Sequence, residues 1–126
     1  MNVDCPCGSG TAYAACCEPL HDGARHAATA EELMRSRYAA YAKGLTDYVF
    51  RTWHPRTRPA DLTLDADTRW TGLRVVDVTA GGPDDERGEV AFAADYATGR
   101  GRGVLRERSR FTRRAGRWYY LDGEHP

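Results

Sequence analysis

Gly103-Val104-Leu105-Arg106-Glu107-Arg108-Ser109-Arg110-Phe111 alternates with a period of two, and this stretch decides the fold. Successive side chains of a strand point to opposite faces. Leu105, Glu107, Ser109 and Phe111 therefore share one face, and Arg106, Arg108 and Arg110 share the other. The arginine face belongs in water. The mixed face belongs against a core, where Glu107 and Ser109 are costly unless they are hydrogen-bonded or used by a ligand.

The same period appears on either side. Trp70 to Thr79, Gly88 to Tyr96, Val104 to Arg113 and Arg117 to Leu121 read as four strands, separated by Gly81-Gly82-Pro83-Asp84, Gly99-Arg100-Gly101 and Ala115-Gly116. Connections this short require antiparallel pairing. Upstream the period is helical. Thr29-Ala30-Glu31-Glu32 has capping-box spacing and opens a helix to about Lys43, with Leu33, Met34, Tyr38, Tyr41 and Ala42 as its apolar stripe, Arg35 off its centre, and Gly44 as the terminator. Thr46 is suited to cap a second helix, Asp47 to Trp53, that buries Val49, Phe50 and Trp53 before Pro55. Residues 55 to 69 read as loop or short helix. Helices followed by a meander give an α+β layer architecture.

The chain has 126 residues, enough for one compact domain with a core but not two. Its 18 basic and 18 acidic residues cancel, so overall charge names no partner. The N-terminus lacks the basic and apolar regions of a secretory signal, and no apolar run approaches bilayer length. The expectation is a cytoplasmic protein without a membrane partner.

All four cysteines fall in Cys5-Pro6-Cys7-Gly8-Ser9-Gly10-Thr11-Ala12-Tyr13-Ala14-Ala15-Cys16-Cys17. Disulfides are disfavoured in the cytosol, and a bridge between the adjacent Cys16 and Cys17 would strain their peptide. Four thiolates complete a closed tetrahedral site, so the expected cofactor is one structural zinc ion held by Cys5, Cys7, Cys16 and Cys17. Gly8-Ser9-Gly10 gives a tight turn whose amides can point at the thiolates, with Arg25 as a further neutralising group. His21 and His26 are alternatives to Cys17 as the fourth ligand. Residues 18 to 28 read as a linker, giving a zinc knuckle and linker over 1–28 and an α+β domain over 29–126.

The cysteine segment resembles the SEC-C zinc motif of the secretion motor SecA, in which two cysteines, a Gly-Ser-Gly turn and a Cys-His or Cys-Cys pair follow in order. The basic residue usual after the turn is Thr11 here. Arg35-Ser36-Arg37-Tyr38, Thr52-Trp53-His54-Pro55, Trp70-Thr71-Gly72-Leu73, Gly103 to Phe111 and Gly116-Arg117-Trp118-Tyr119-Tyr120-Leu121-Asp122-Gly123 resemble the YchJ family over nearly the whole chain. That resemblance implies a nuclear-transport-factor-like (NTF2-like) cone, a curved antiparallel sheet wrapped around the helices. The SEC-C resemblance implies a protein or ribosome partner for the knuckle.

The cone's pocket is expected to gather Arg35, Tyr38, Trp53, His54, Glu107, Ser109, Trp118, Tyr120 and Asp122. Trp118, Tyr120 and Asp122 share a face by alternation, and Trp53-His54 would close the cavity at the end of the second helix. Three functions follow. The pocket and knuckle can bind a small ligand or a protein. Glu107 or Asp122 can act as general base with His54 in a dehydratase, isomerase or hydrolase. Arg100, Arg102, Arg106, Arg108, Arg110, Arg113, Arg114 and Arg117 can attract RNA. Binding is preferred. A buried carboxylate beside Arg35 or Arg37 is more often structural than catalytic. Nucleic acid is disfavoured because alternating arginines also keep an exposed sheet face soluble.

Overall fold

The computed structural model describes residues 3–125. A 3-10 turn at Tyr13–Ala15 precedes α1 (Glu18–His21), α2 (Ala30–Lys43) and α3 (Thr46–Arg51), and these precede β1 (Arg69–Ala80), β2 (Arg87–Thr98), β3 (Gly101–Arg114) and β4 (Arg117–Glu124). The strands form one antiparallel meander in the order β1-β2-β3-β4. Register shifts between Trp70 and Gly72, between Val75 and Asp77, and between Arg110 and Phe111 curve it. Helix α2 packs across the inner face against β1, β2 and β4. This is the expected α+β cone.

Helix α2 begins and ends as its sequence dictates. Thr29 Oγ1 accepts the Glu32 amide at 3.1 Å, and Gly44 closes the helix in the left-handed region at φ 74°. The Glu32 carboxylate reaches the Ala28 amide at 2.8 Å and Arg25 at 2.8 Å. The β1–β2 turn meets the start of α2, where Gly81 accepts the Ala30 amide at 2.9 Å. A Cβ at Gly81 would lie 2.7 Å from that of Ala30, so only glycine permits this approach.

Three clusters make the core. Ala30, Leu33, Met34, Val90, Phe111 and Trp118 fill the space between α2 and the sheet. Leu20, Ala40, Tyr48 and Val49 join α1, α2 and α3. Cys5, Cys7 and Cys17 pack with Tyr38, Ala39 and Ala94, placing the knuckle directly on helix and sheet.

The residues expected as a linker contain α1, a single turn with little intrinsic stability. Leu20 holds it down, since burying a leucine contributes roughly 1.5–3 kcal/mol. Helix α3 starts without a side-chain cap and stops at Arg51. Thr52–His54 then pairs with β4: Tyr120 donates to the Thr52 carbonyl at 2.9 Å, and His54 donates to the Tyr120 carbonyl at 2.8 Å. Residues 55–68 form turns and irregular chain. In α2 the buried set includes Ser36, Arg37, Ala39 and Ala40, while Ala42 faces solvent.

Candidate ligand cavity and metal centre

The four sulfurs lie within 4.8 Å of one another, close enough to hold one metal ion. Gly8 (φ 79°) and Gly10 (φ 82°) make the turn that folds the two pairs together. The amide of Cys7 points to the Cys5 sulfur, that of Ser9 to the Cys7 sulfur, and Ser9 Oγ lies 3.2 Å from the Cys16 sulfur. A hydrogen bond from Cys17 holds the Cys7 thiol down at about 4. The same bond, then burial, pushes Cys17 up, and burial pushes Cys5 up. Packed thiols cannot all ionise together, and a dication removes that restriction.

Neither histidine joins the cluster. His21 Nε2 is 2.8 Å from the Ser36 carbonyl, so it must carry the proton, and Nδ1 accepts from the Tyr13 hydroxyl at 2.7 Å. Both ring nitrogens are occupied in joining the knuckle to α2. His26 is exposed in a separate cleft. Arg25 is engaged by Glu32. Glu32, and after it the charges of Cys16 and Cys17, raise the Arg25 pKa, while Arg35 donates to the Cys7 carbonyl at 2.9 Å.

A cavity of about 340 Å³ opens between α2 and the inner face of the sheet. Of the nine expected pocket residues, Tyr38, Trp53, Glu107, Ser109 and Tyr120 line it. Leu105 and Phe111 line it too, as the alternation of β3 requires. Glu107 Oε2 accepts from Ser109 Oγ at 2.5 Å and from the Tyr120 hydroxyl at 3.1 Å, while Oε1 is 3.5 Å from His125 Nε2. Burial, then the charge of Glu107, raises the Tyr120 pKa and keeps it a donor. Among the described residues no arginine reaches Glu107 within ion-pair distance.

Four expected residues lie elsewhere, each for a local reason. Arg35 faces the knuckle. His54 alternates outward from Trp53 along the segment paired with β4, stacking edge-on to Tyr119. Its Nδ1 accepts the Arg56 amide at 3.0 Å, and burial, then Arg56 and Arg114, lower its pKa. The charged form of the His54 ring is therefore disfavoured. Trp118 is core, donating from Nε1 to Ala28 at 3.2 Å. Asp122 is turned outward by the bulge at Leu121: Phe111 faces Tyr120, but Arg110 faces Asp122, and the two pair at 2.6 Å. Gly123 takes the inward position beside Glu107.

Residues beyond the nine expected complete the cavity, two of them, Arg37 and Tyr41, already expected to be buried on α2. Arg37 and Tyr41 come from α2, and Trp70 and Phe92 from the sheet. Spacing from Met34 held the signal for Arg37 and Tyr41. Arg37 is 6% exposed. Its Nη1 donates to the Val49 carbonyl at 2.8 Å and Thr52 Oγ1 at 2.7 Å. Its guanidinium carbon stacks 4.6 Å from the Tyr120 ring centre and 5.3 Å from that of Trp53. Burial lowers its pKa, yet a guanidinium keeps its charge.

On the outer face, Arg108 pairs with Asp77 and Glu89, Arg110 with Asp122 and Glu124, and Arg74 with Asp95. Arg113 binds the carbonyls of Gly82, Pro83 and Asp85. The acids that neutralise Arg108 and Arg110 come from neighbouring strands. No helix is long and apolar enough to cross a membrane among the described residues.

Residues 29–123 match the family model for the YchJ middle NTF2-like domain, and residues 1–19 match the SEC-C motif. A UPF0225 protein of Streptomyces coelicolor is 52% identical over 95% of this chain and 94% of its own length. One of Deinococcus radiodurans is 53% identical over 94% of this chain and 86% of its own. The solution structure of a SEC-C motif containing protein from Rhodopseudomonas palustris superposes with a TM-score of 0.85 at 39% identity, covering 100% of this chain and 99% of that one. A crystal structure of a SEC-C motif containing protein from Psychrobacter arcticus gives 0.77 at 31% identity, covering 94% and 80%.

Proposed function

The chain belongs to the YchJ family, and we propose that it is a binding protein whose cone holds a small ligand and whose N-terminal knuckle is clamped by one structural zinc ion. The observation that carries the reading is the cavity between α2 and the sheet: aromatic walls with a few converging polar groups are the usual make-up of a small-ligand site.

The zinc assignment rests on donor chemistry and spacing. A tetrahedron with metal–sulfur bonds of about 2.3 Å has sulfur–sulfur edges of about 3.8 Å. Cys7 and Cys16 are 3.6 Å apart, and Cys16 and Cys17 are 3.9 Å apart. Four thiolates leave no open position, so the ion would supply stability rather than chemistry. The knuckle buries its cysteines against α2 and the sheet, and Val3 is the one large apolar side chain it exposes among the described residues. This favours tethering over docking to a protein or ribosome.

Binding is preferred to catalysis because Glu107 is held by two donors and His54 does not converge on it. The exposed His125 is the one histidine beside Glu107 among the described residues. The paired arginines of the outer face favour a small ligand over RNA.

A fragment screen by NMR on the zinc-loaded protein tests the reading. Hits should shift the Trp53 and Trp70 indole signals and be lost in Met34→Trp, which fills the cavity from the cluster that excludes the cysteines, with zinc content unchanged. Hits that ignore the cavity would overturn it.

A further inference from the structure

Arg37 and Trp53 stack on one another where they line the cavity, and each carries a donor without the partner that burial demands. Arg37 has carbonyl, hydroxyl and aromatic neighbours, but no carboxylate within ion-pair distance among the described residues. Buried charges are ordinarily paired, because an unpaired one loses its hydration without compensation. Beside it, Trp53 buries its indole Nε1–H with no hydrogen-bond acceptor. An orphaned donor next to an unpaired cation is a place for an oxyanion.

The rest of the lining sets the remainder of the molecule. Glu107 also lines the cavity, and its Oε1 has only His125 near it, at 3.5 Å. A ligand that presented an anion alone would be repelled by this carboxylate, so it must also offer Glu107 a hydrogen-bond donor. Tyr38, Trp70, Phe92 and Leu105 supply apolar walls, and about 340 Å³ is at the small end of ligand sites.

We infer that the cavity takes a small hydroxy or amino acid with an apolar, ring-sized body, its carboxylate against Arg37 and Trp53 Nε1–H and its hydroxyl or ammonium group against Glu107. The inference rests on the cavity being a ligand site.

Calorimetry on the zinc-loaded protein with four probes at millimolar concentration separates the two claims. The probes are 3-phenyllactate, phenylalanine, phenethylamine and 3-phenylpropanol. At least one of the two acids should bind, both the amine and the alcohol should bind at least tenfold more weakly, and the bound acid should move the Trp53 indole proton downfield in NMR. Trp53→Phe keeps a ring but removes the donor, so it should weaken the acid roughly tenfold or more and weaken any amine or alcohol binding by less. Amine or alcohol binding as tight as the acids, or acid binding indifferent to Trp53→Phe, overturns the inference and leaves the cavity as a ligand site. No binding by any probe overturns both.

Discussion

Arg35 Nη1 donates to the backbone carbonyl of Cys7 across 2.9 Å, while its Nε pairs with Glu31 at 3.0 Å one turn earlier on α2. The guanidinium thus holds the cysteine turn and the helix in one geometry. Arg35→Ala should destabilise the fold by about 1.5–3 kcal/mol, the ordinary worth of a hydrogen bond to a charged group. It should also speed zinc release to a colorimetric chelator. Urea melts and release kinetics check both; an unchanged release rate would make Arg35 a surface residue only.

Removing the metal should loosen one end of the molecule first. Cys5, Cys7 and Cys17 share a cluster with Tyr38, Ala39 and Ala94, whereas Val90, Phe111 and Trp118 belong to another. After chelation, hydrogen exchange should accelerate at residues 5–17 and around Tyr38 and Ala94 before it does at Val90 and Phe111. Uniform acceleration would mean that the knuckle and the rest melt together.

Gly123 faces Ser109 across the ladder, and a Cβ there would collide with the Glu107 carboxyl group. Gly123→Ala should therefore displace Glu107 from Ser109 and Tyr120, costing about 1–3 kcal/mol as overpacking. In NMR the Tyr120 ring signals should shift with it, which a simple backbone effect at Gly123 would not produce.

His54 gives a pH dependence of known sign. Its folded pKa is lowered from the ordinary 6.5 by burial, Arg56 and Arg114. The unfolded chain therefore binds the proton first on acidification. Its stabilising contribution is complete above the unfolded value and is lost as pH falls through the lower folded value. An NMR titration should place His54 below 6.5, and His54→Gln should flatten the acid side of the stability profile; a midpoint above the ordinary value would contradict the Arg56 hydrogen bond.

The parts legible in the sequence are those that repeat. Alternation along β3 put Leu105, Glu107, Ser109 and Phe111 on the cavity wall, and Thr29 and Gly44 bounded α2. The losses came from single-residue irregularities. One extra residue at Leu121 exchanges Asp122 for Gly123 on the inner face, and nothing in a local period marks such a bulge. The end of α3 left a clue, because a residue before proline favours extended backbone and His54 precedes Pro55. Arg37 was expected as a buried partner of Glu107 rather than as a pocket residue, and its spacing from Met34 and Tyr41 places it on the stripe that lines the cavity.

Native mass spectrometry of the purified protein, alongside Cys17→Ser and His21→Ala, tests the metal centre most directly. The account predicts one zinc per chain, lost in Cys17→Ser and kept in His21→Ala, whose ring is already bonded to Tyr13 and Ser36. A chain without metal and with its thiols intact, or zinc that leaves with His21 and stays without Cys17, would contradict it.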